Sequence, residues 1–207
     1  MNEIYKNIGE YYSEKISTYG VTPEGVDWNG EASQYLRFVQ LLKIAQKDQF
    51  SLGDLGCGYG KLFEFLNQRY KGVNYYGYDL SSEMIAEAIK LYGEESNAFF
   101  FHIDILDNID CVDYMVASGI FNVKMQHCEA DWLSYILQTL EKMNEKSREG
   151  FSFNILTKYS DKEYMKDNLY YADPMFLFDY CKRNFSRNVS ILHDYDLYEF
   201  TILVRKA

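Results

Sequence analysis

Between residues 50 and 156 short apolar runs alternate with amphipathic stretches, the rhythm of parallel strands joined by crossover helices. FSLGDLG (50 to 56) reads as a buried strand, followed by a helix over about 61 to 70. VNYYGYDL (73 to 80) predicts a second strand, and Ser81 or Ser82 opens a helix running to about Tyr92. Two more strands are expected at AFFFHIDIL (98 to 106) and CVDYMVASG (111 to 119), then a helix over about 130 to 144 and a strand at GFSFNIL (150 to 156). A helix around 176 to 184 precedes NVSILHDY and YEFTILVRK. The last two strands are too close in sequence for a parallel crossover and must form an antiparallel hairpin. The expected fold is therefore α/β: a Rossmann-like, doubly wound, seven-stranded sheet, mostly parallel with a reversed last strand, with helices on both faces.

Ahead of the alternating region, Leu36, Phe38, Val39, Leu41, Leu42 and Ile44 recur at helical spacing and predict an amphipathic helix. Residues 1 to 31 carry Gly9, Gly20, Gly25 and Gly30 and little periodicity beyond a short helix near Tyr5 to Ile16, so they read as a mobile cover. The organisation expected is a lid and helix over 1–46 and a catalytic unit over 47–207, forming a single domain.

Composition narrows the partners. The 207 residues, 47% hydrophobic and 25% charged, suffice for one domain with a sizeable core. A net charge of −10 would repel a phosphate backbone, which argues against nucleic acid; Lys182, Arg183 and Arg187 read as a solvated helix face. The amino terminus lacks an apolar run behind a basic segment, and no stretch reaches the roughly 18 apolar residues of a membrane span. A cytoplasmic location and no membrane partner are expected. The four cysteines are scattered and suggest neither a disulfide framework nor a zinc site.

Candidate chemistry centres on Asp54, Gly56, Gly58 and Gly60, where the first strand should turn into the first helix, the ligand-binding end of an open α/β sheet. Lys61 stands where a dinucleotide fingerprint wants its third glycine, and Asp54 would be unwelcome beside a pyrophosphate but suits a ligand with an ammonium and a sulfonium. Asp79, ending the second strand, can accept both hydrogen bonds of a ribose diol, and Asp104, ending the third, can receive an adenine amine. One such aspartate is ordinary; three at successive strand ends form a pattern.

On these residues the chain resembles the class I S-adenosylmethionine-dependent methyltransferases. SLGDLGCGYGKLFEFL looks like their glycine-rich first motif, YYGYDLSSEMIAEA the second, and FFFHIDILD with YMVASGIFN the third and fourth. Gly53 departs from the bulky apolar residue usual there, which implies looser packing beneath the motif. The resemblance implies S-adenosyl-L-methionine as cofactor, with Gly56 and Gly58 at its methionyl part, Asp79 on the ribose, and Leu80 and Met84 against the adenine. Asp104 and Ile105 would meet the adenine amine, and Ser118 and Gly119 would line the channel beside the methyl group. GVDWNGEASQYLRF (25 to 38) is similar to a leader of some small bacterial small-molecule methyltransferases, placing Gln34 and Arg37 at the cleft. Arg37 would then clamp the methionyl carboxylate, a surface salt bridge being the alternative.

Methyl transfer from a sulfonium mostly requires alignment of donor and acceptor and exclusion of water. A base, where one is needed, is sought in His193, which ends the penultimate strand, or His127, after the fourth; His102 reads as structural. Tyr12, Asn122, Tyr171 and Tyr195 are the candidate acceptor contacts, and YYADP with HDYDLYEFT looks like the same small bacterial subset. No carboxylate cluster suggests a divalent metal. The expected function is methylation of an oxygen, or second a nitrogen, of a small polar metabolite. A noncatalytic cofactor-binding or scaffold protein and a protein methyltransferase are the alternatives, and the sequence leaves acceptor and oligomeric state open.

Overall fold

The computed structural model describes residues 2–27 and 30–206; Met1, Trp28 and Asn29 of the expected lid lie outside the described residues. The strands are β1 (Phe50–Leu55), β2 (Val73–Asp79), β3 (Ala98–His102), β4 (Val112–Ala117), β5 (Ser147–Leu156), β6 (Asn188–Leu192) and β7 (Glu199–Arg205). They form one sheet in the order β3-β2-β1-β4-β5-β7-β6. Only β7 is reversed, antiparallel to both β5 and β6, so the expected Rossmann-like sheet with a reversed last strand is what the chain forms. Met115, Val116 and Ala117 of β4 are fully buried, because a central parallel strand is covered on both faces.

The helices are α1 (Asn2–Tyr19), α2 (Glu31–Leu42), α3 (Lys61–Asn67), α4 (Ser82–Tyr92), α5 (Glu129–Lys146) and α6 (Pro174–Asn184). Helices α2, α3 and α4 cover one face around Leu41, Phe63, Tyr75 and Tyr114; α5, α6 and the first half of α1 cover the other around Trp132, Phe151, Phe153 and Phe200. Local chemistry sets the starts. The Ser81 side chain caps α4 by accepting the Met84 amide, and Asp173 caps α6 ahead of Pro174.

Two elements differ from expectation. The leader holds an 18-residue helix, not a short one, and Ile4, Ile8 and Ile16 on one stripe are buried. Gly9 weakens the helical signal in the sequence, yet a Cβ there would stand 2.7 Å from the Leu80 carbonyl oxygen, so its absence lets α1 pack on the chain after β2. The third strand stops at His102 rather than at 106: the Ile103 amide donates the last ladder bond to the Asp79 carbonyl, and the chain then turns away from β2. Residues 103–111 then cross to β4 with only a three-residue 3-10 helix, Leu106–Asn108. Tyr76 stacks on Phe99 and Tyr78 on Phe101, and with no crossover helix above them Phe99 and Phe101 are exposed.

Candidate functional site

The turn between β1 and α3 is built on three left-handed glycines, Gly56, Gly58 and Gly60, at φ of 75°, 55° and 85°. A Cβ on Gly56 would come within 2.2 Å of Ile120 Cγ2. The turn hangs from β2: the Gly56 and Cys57 amides donate to the Tyr78 carbonyl, and the Gly58 amide donates to Asp79 Oδ2 at 2.8 Å. Asp79 Oδ1 accepts the Ser81 amide at 2.9 Å, so one carboxylate orders the loops after both strands. Beneath the turn, Met115 and Val112 fill the space that the missing Gly53 side chain leaves, so the expected looseness is absent.

Asp54 is 2% exposed; its Oδ2 accepts the Tyr75 hydroxyl at 2.6 Å, while Oδ1 has no partner within the protein. Burial pushes this carboxyl up to about 7, and the nearby Asp79 charge adds to the rise against the opposing Tyr75 hydrogen bond. Gln34 Oε1 and Ser118 Oγ are likewise buried without partners. All three residues line one cavity, and three unpaired acceptors, one of them a carboxylate oxygen, match the three N–H donors and positive charge of an ammonium group. The residues present therefore fit the methionyl end of the expected cofactor.

The cavity, about 950 Å³, opens at the carboxyl ends of the parallel strands. It brings together Gln34, Arg37, Asp54, Gly56, Gly58 and Asp79 of the expected cofactor set, and also Leu80, Met84, Ser118 and Gly119. Asp104 and Ile105 are not in its wall: both are exposed, and Ile103 and Leu106 of the same segment line it instead. Of the expected acceptor contacts, Tyr12, Asn122 and Tyr171 line the cavity. Tyr195 does not; it is buried, with its hydroxyl 2.9 Å from Thr201 Oγ1.

Neither candidate base reaches the wall. His193 is exposed, with its ring between Tyr159 and Phe200. Its strand, β6, does run parallel to the others, but it is the sheet edge, four strand spacings or about 19 Å from β1. His127 stacks on Trp132, with Nε2 3.3 Å from Asn7 Nδ2, and lies outside the cavity lining. Burial holds the Tyr12 phenol well above its ordinary value, so it stands there as a donor rather than as a phenolate.

Several wall residues carried no sequence signal. Half of the 20 tyrosines line the cavity, giving apolar walls with polar tips. Helix α1 roofs it with Tyr5, Ile8, Tyr11, Tyr12 and Lys15. The roof is pinned where Asp27 accepts the Tyr11 hydroxyl at 2.8 Å and pairs with Lys15 at 2.6 Å, and where Ser13 meets Ser81 and Glu83. Glu199, the first residue of β7, pairs with Arg37 through Nε and Nη2, each at 2.8 Å. Asn154 Nδ2 also donates to Glu199, and as a lone amide in an apolar strand Asn154 was a visible sign of this network; Glu199 was not. Among the described residues no group of three or more His, Cys, Asp or Glu side chains is placed to hold a metal ion, and no helix is long and apolar enough to cross a membrane.

Residues 53–146 match the family model described as a methyltransferase domain. The Mycobacterium tuberculosis protein Rv1506c, itself provisionally named as a methyltransferase, is 51% identical over 160 residues, which are 77% of this chain and 95% of that protein. Among solved structures, DhpI in complex with S-adenosylhomocysteine superposes with a TM-score of 0.64 at 14% identity, over 97% of this chain and 95% of that one. The plantazolicin methyltransferase BpumL, bound to a desmethyl-plantazolicin analogue and S-adenosylhomocysteine, gives 0.63 at 14% identity over 100% of both chains.

Proposed function

The chain belongs to the class I S-adenosylmethionine-dependent methyltransferases, and from that membership we propose that it methylates an oxygen of a small polar metabolite. The observation that carries this reading is the wall beyond Ser118 and Gly119, where Asn122, Ser160, Lys166, Asn168 and Tyr171 stand among apolar residues such as Val123 and Leu169. Amide, hydroxyl and ammonium donors suit oxygen lone pairs, and Glu163 lines the same wall beside them.

S-adenosylmethionine supplies an electrophilic methyl group. The protein's part is placement: the unpaired oxygens of Gln34, Asp54 and Ser118 would receive the ammonium, Asp79 the ribose diol, and Leu80, Met84, Ile103 and Leu106 would face the adenine. The acceptor would lie against Asn122 and Tyr171, which line the cavity that α1 roofs and shields from water. His193 and His127 are given no role. Catalysis then rests on proximity and desolvation, which in well-aligned reactions supply roughly 7 to 11 kcal/mol of the barrier.

Incubation with methyl-13C S-adenosylmethionine and a metabolite extract, followed by carbon NMR of the low-mass fraction, tests the assignment. A methoxy product is expected. Label found only on nitrogen, or only in protein, overturns it.

A further inference from the structure

Glu199 opens β7, the strand that runs against the rest of the sheet, and that reversal brings a first residue to the end where parallel strands bring their last. Its carboxylate is 1% exposed and gathers four donors: Arg37 Nε and Nη2 at 2.8 Å, Asn154 Nδ2 at 2.5 Å and Asn122 Nδ2 at 3.3 Å. Asn154 Oδ1 accepts the Gly119 amide at 2.8 Å, and Asn122 Oδ1 accepts the Leu156 amide at 3.0 Å. One carboxylate thus joins α2, the exit of β4, the end of β5 and the start of β7.

A buried ion pair is a poor way to gain stability, since apolar residues of the same volume often do as well. Its use has to be sought in what it borders. Arg37 and Glu199 both line the cavity, and Gln34, one turn earlier on α2, presents the unpaired oxygen assigned to the ammonium. The carboxylate of the same amino-acid group must lie close by. We infer that Glu199 is a positioning residue for cofactor binding, holding the Arg37 guanidinium toward the methionyl carboxylate while Asn154 ties the same hub to the Gly119 amide. The inference rests on the cofactor assignment and is independent of which acceptor is methylated.

The test compares two probes by calorimetric titration: S-adenosylhomocysteine, and 5′-methylthioadenosine, which keeps the adenosine and sulfur but lacks the amino-acid end. Glu199→Gln should weaken S-adenosylhomocysteine about tenfold or more, the scale of one charge-assisted hydrogen bond, and leave methylthioadenosine within about twofold. Because Glu199 acts through Arg37, the double variant Arg37→Gln with Glu199→Gln should bind S-adenosylhomocysteine within about twofold of Arg37→Gln alone. Should Glu199→Gln fail to fold, Glu199→Asp, which keeps the charge but shortens its reach, carries the same comparison, with a smaller loss confined to S-adenosylhomocysteine. Equal losses for both probes would reduce Glu199 to a structural role. Unchanged or tighter S-adenosylhomocysteine binding, or additive losses in the double variant, overturns the inference. A wild-type protein that binds neither probe would instead count against the cofactor assignment.

Discussion

The Gly58 amide donates to Asp79 Oδ2 at 2.8 Å, so the carboxylate assigned to the ribose also holds the loop that must approach the methionyl chain. Replacing Asp79 by Ala should therefore weaken S-adenosylhomocysteine by at least roughly 1.5 to 3 kcal/mol, the worth of a hydrogen bond to a charged group, with a further loss from the released loop. Calorimetric titration measures it. Unchanged affinity would remove Asp79 from the site.

Cofactor binding should depend on pH near neutrality. Burial raises the Asp54 carboxyl to about 7 in the free protein, far above its ordinary value of about 3.9, and a cationic ligand favours the ionised form. Binding then releases a proton, and affinity should fall by up to about tenfold for each pH unit below about 7. The sign for folding is opposite: a raised carboxyl favours the folded state at low pH, and that contribution is lost as pH rises through about 7. Titrations in buffers of different ionisation enthalpy detect the proton release, and Asp54→Asn should abolish it.

Gly56 and Gly20 separate backbone strain from crowding. Both have positive φ, 75° and 68°, but a Cβ on Gly56 meets Ile120 at 2.2 Å while one on Gly20 meets nothing within 4 Å. Gly20→Ala should cost only about 1 to 2 kcal/mol, or roughly 2 to 8 °C of melting temperature. Gly56→Ala should cost more and also lose S-adenosylhomocysteine binding. Equal melting temperatures would mean that Ile120 moves aside freely.

The leader should close over the cofactor, since α1 roofs the cavity and is pinned through Asp27 to Tyr11 and Lys15. Cleavage after Glu24 by a glutamate-specific protease should slow when S-adenosylhomocysteine is added. Asp27→Ala should accelerate it in both states. A rate indifferent to ligand would make α1 a fixed wall.

The glycine turn, Asp54 and Asp79 were legible because their chemistry is local: a spacing of glycines and a carboxylate at a strand end. Glu199 was not, because its meaning lies in Arg37, 162 residues earlier, and no pattern along the chain pairs them. Strand direction put His193 at the correct end of the sheet, but the periodicity that predicts β6 says nothing of its distance from β1. Asp104 looked equivalent to Asp79 by spacing. The chain leaves β3 two residues before it, and Ile103 and Leu106 take the cavity side. Helix α1 was understated because Gly9, which looks like a helix breaker, is where the helix touches Leu80.

The short crossover from β3 to β4 also bears on how concentrated solutions of the protein should behave. It leaves Phe99 and Phe101 on an edge strand with no helix above them, an attractive surface that two molecules would bury by meeting there. At a net charge of −10 mutual repulsion opposes that encounter, and salt weakens the repulsion without weakening the apolar attraction. Light scattering should accordingly rise with ionic strength, and Phe101→Lys should suppress the rise.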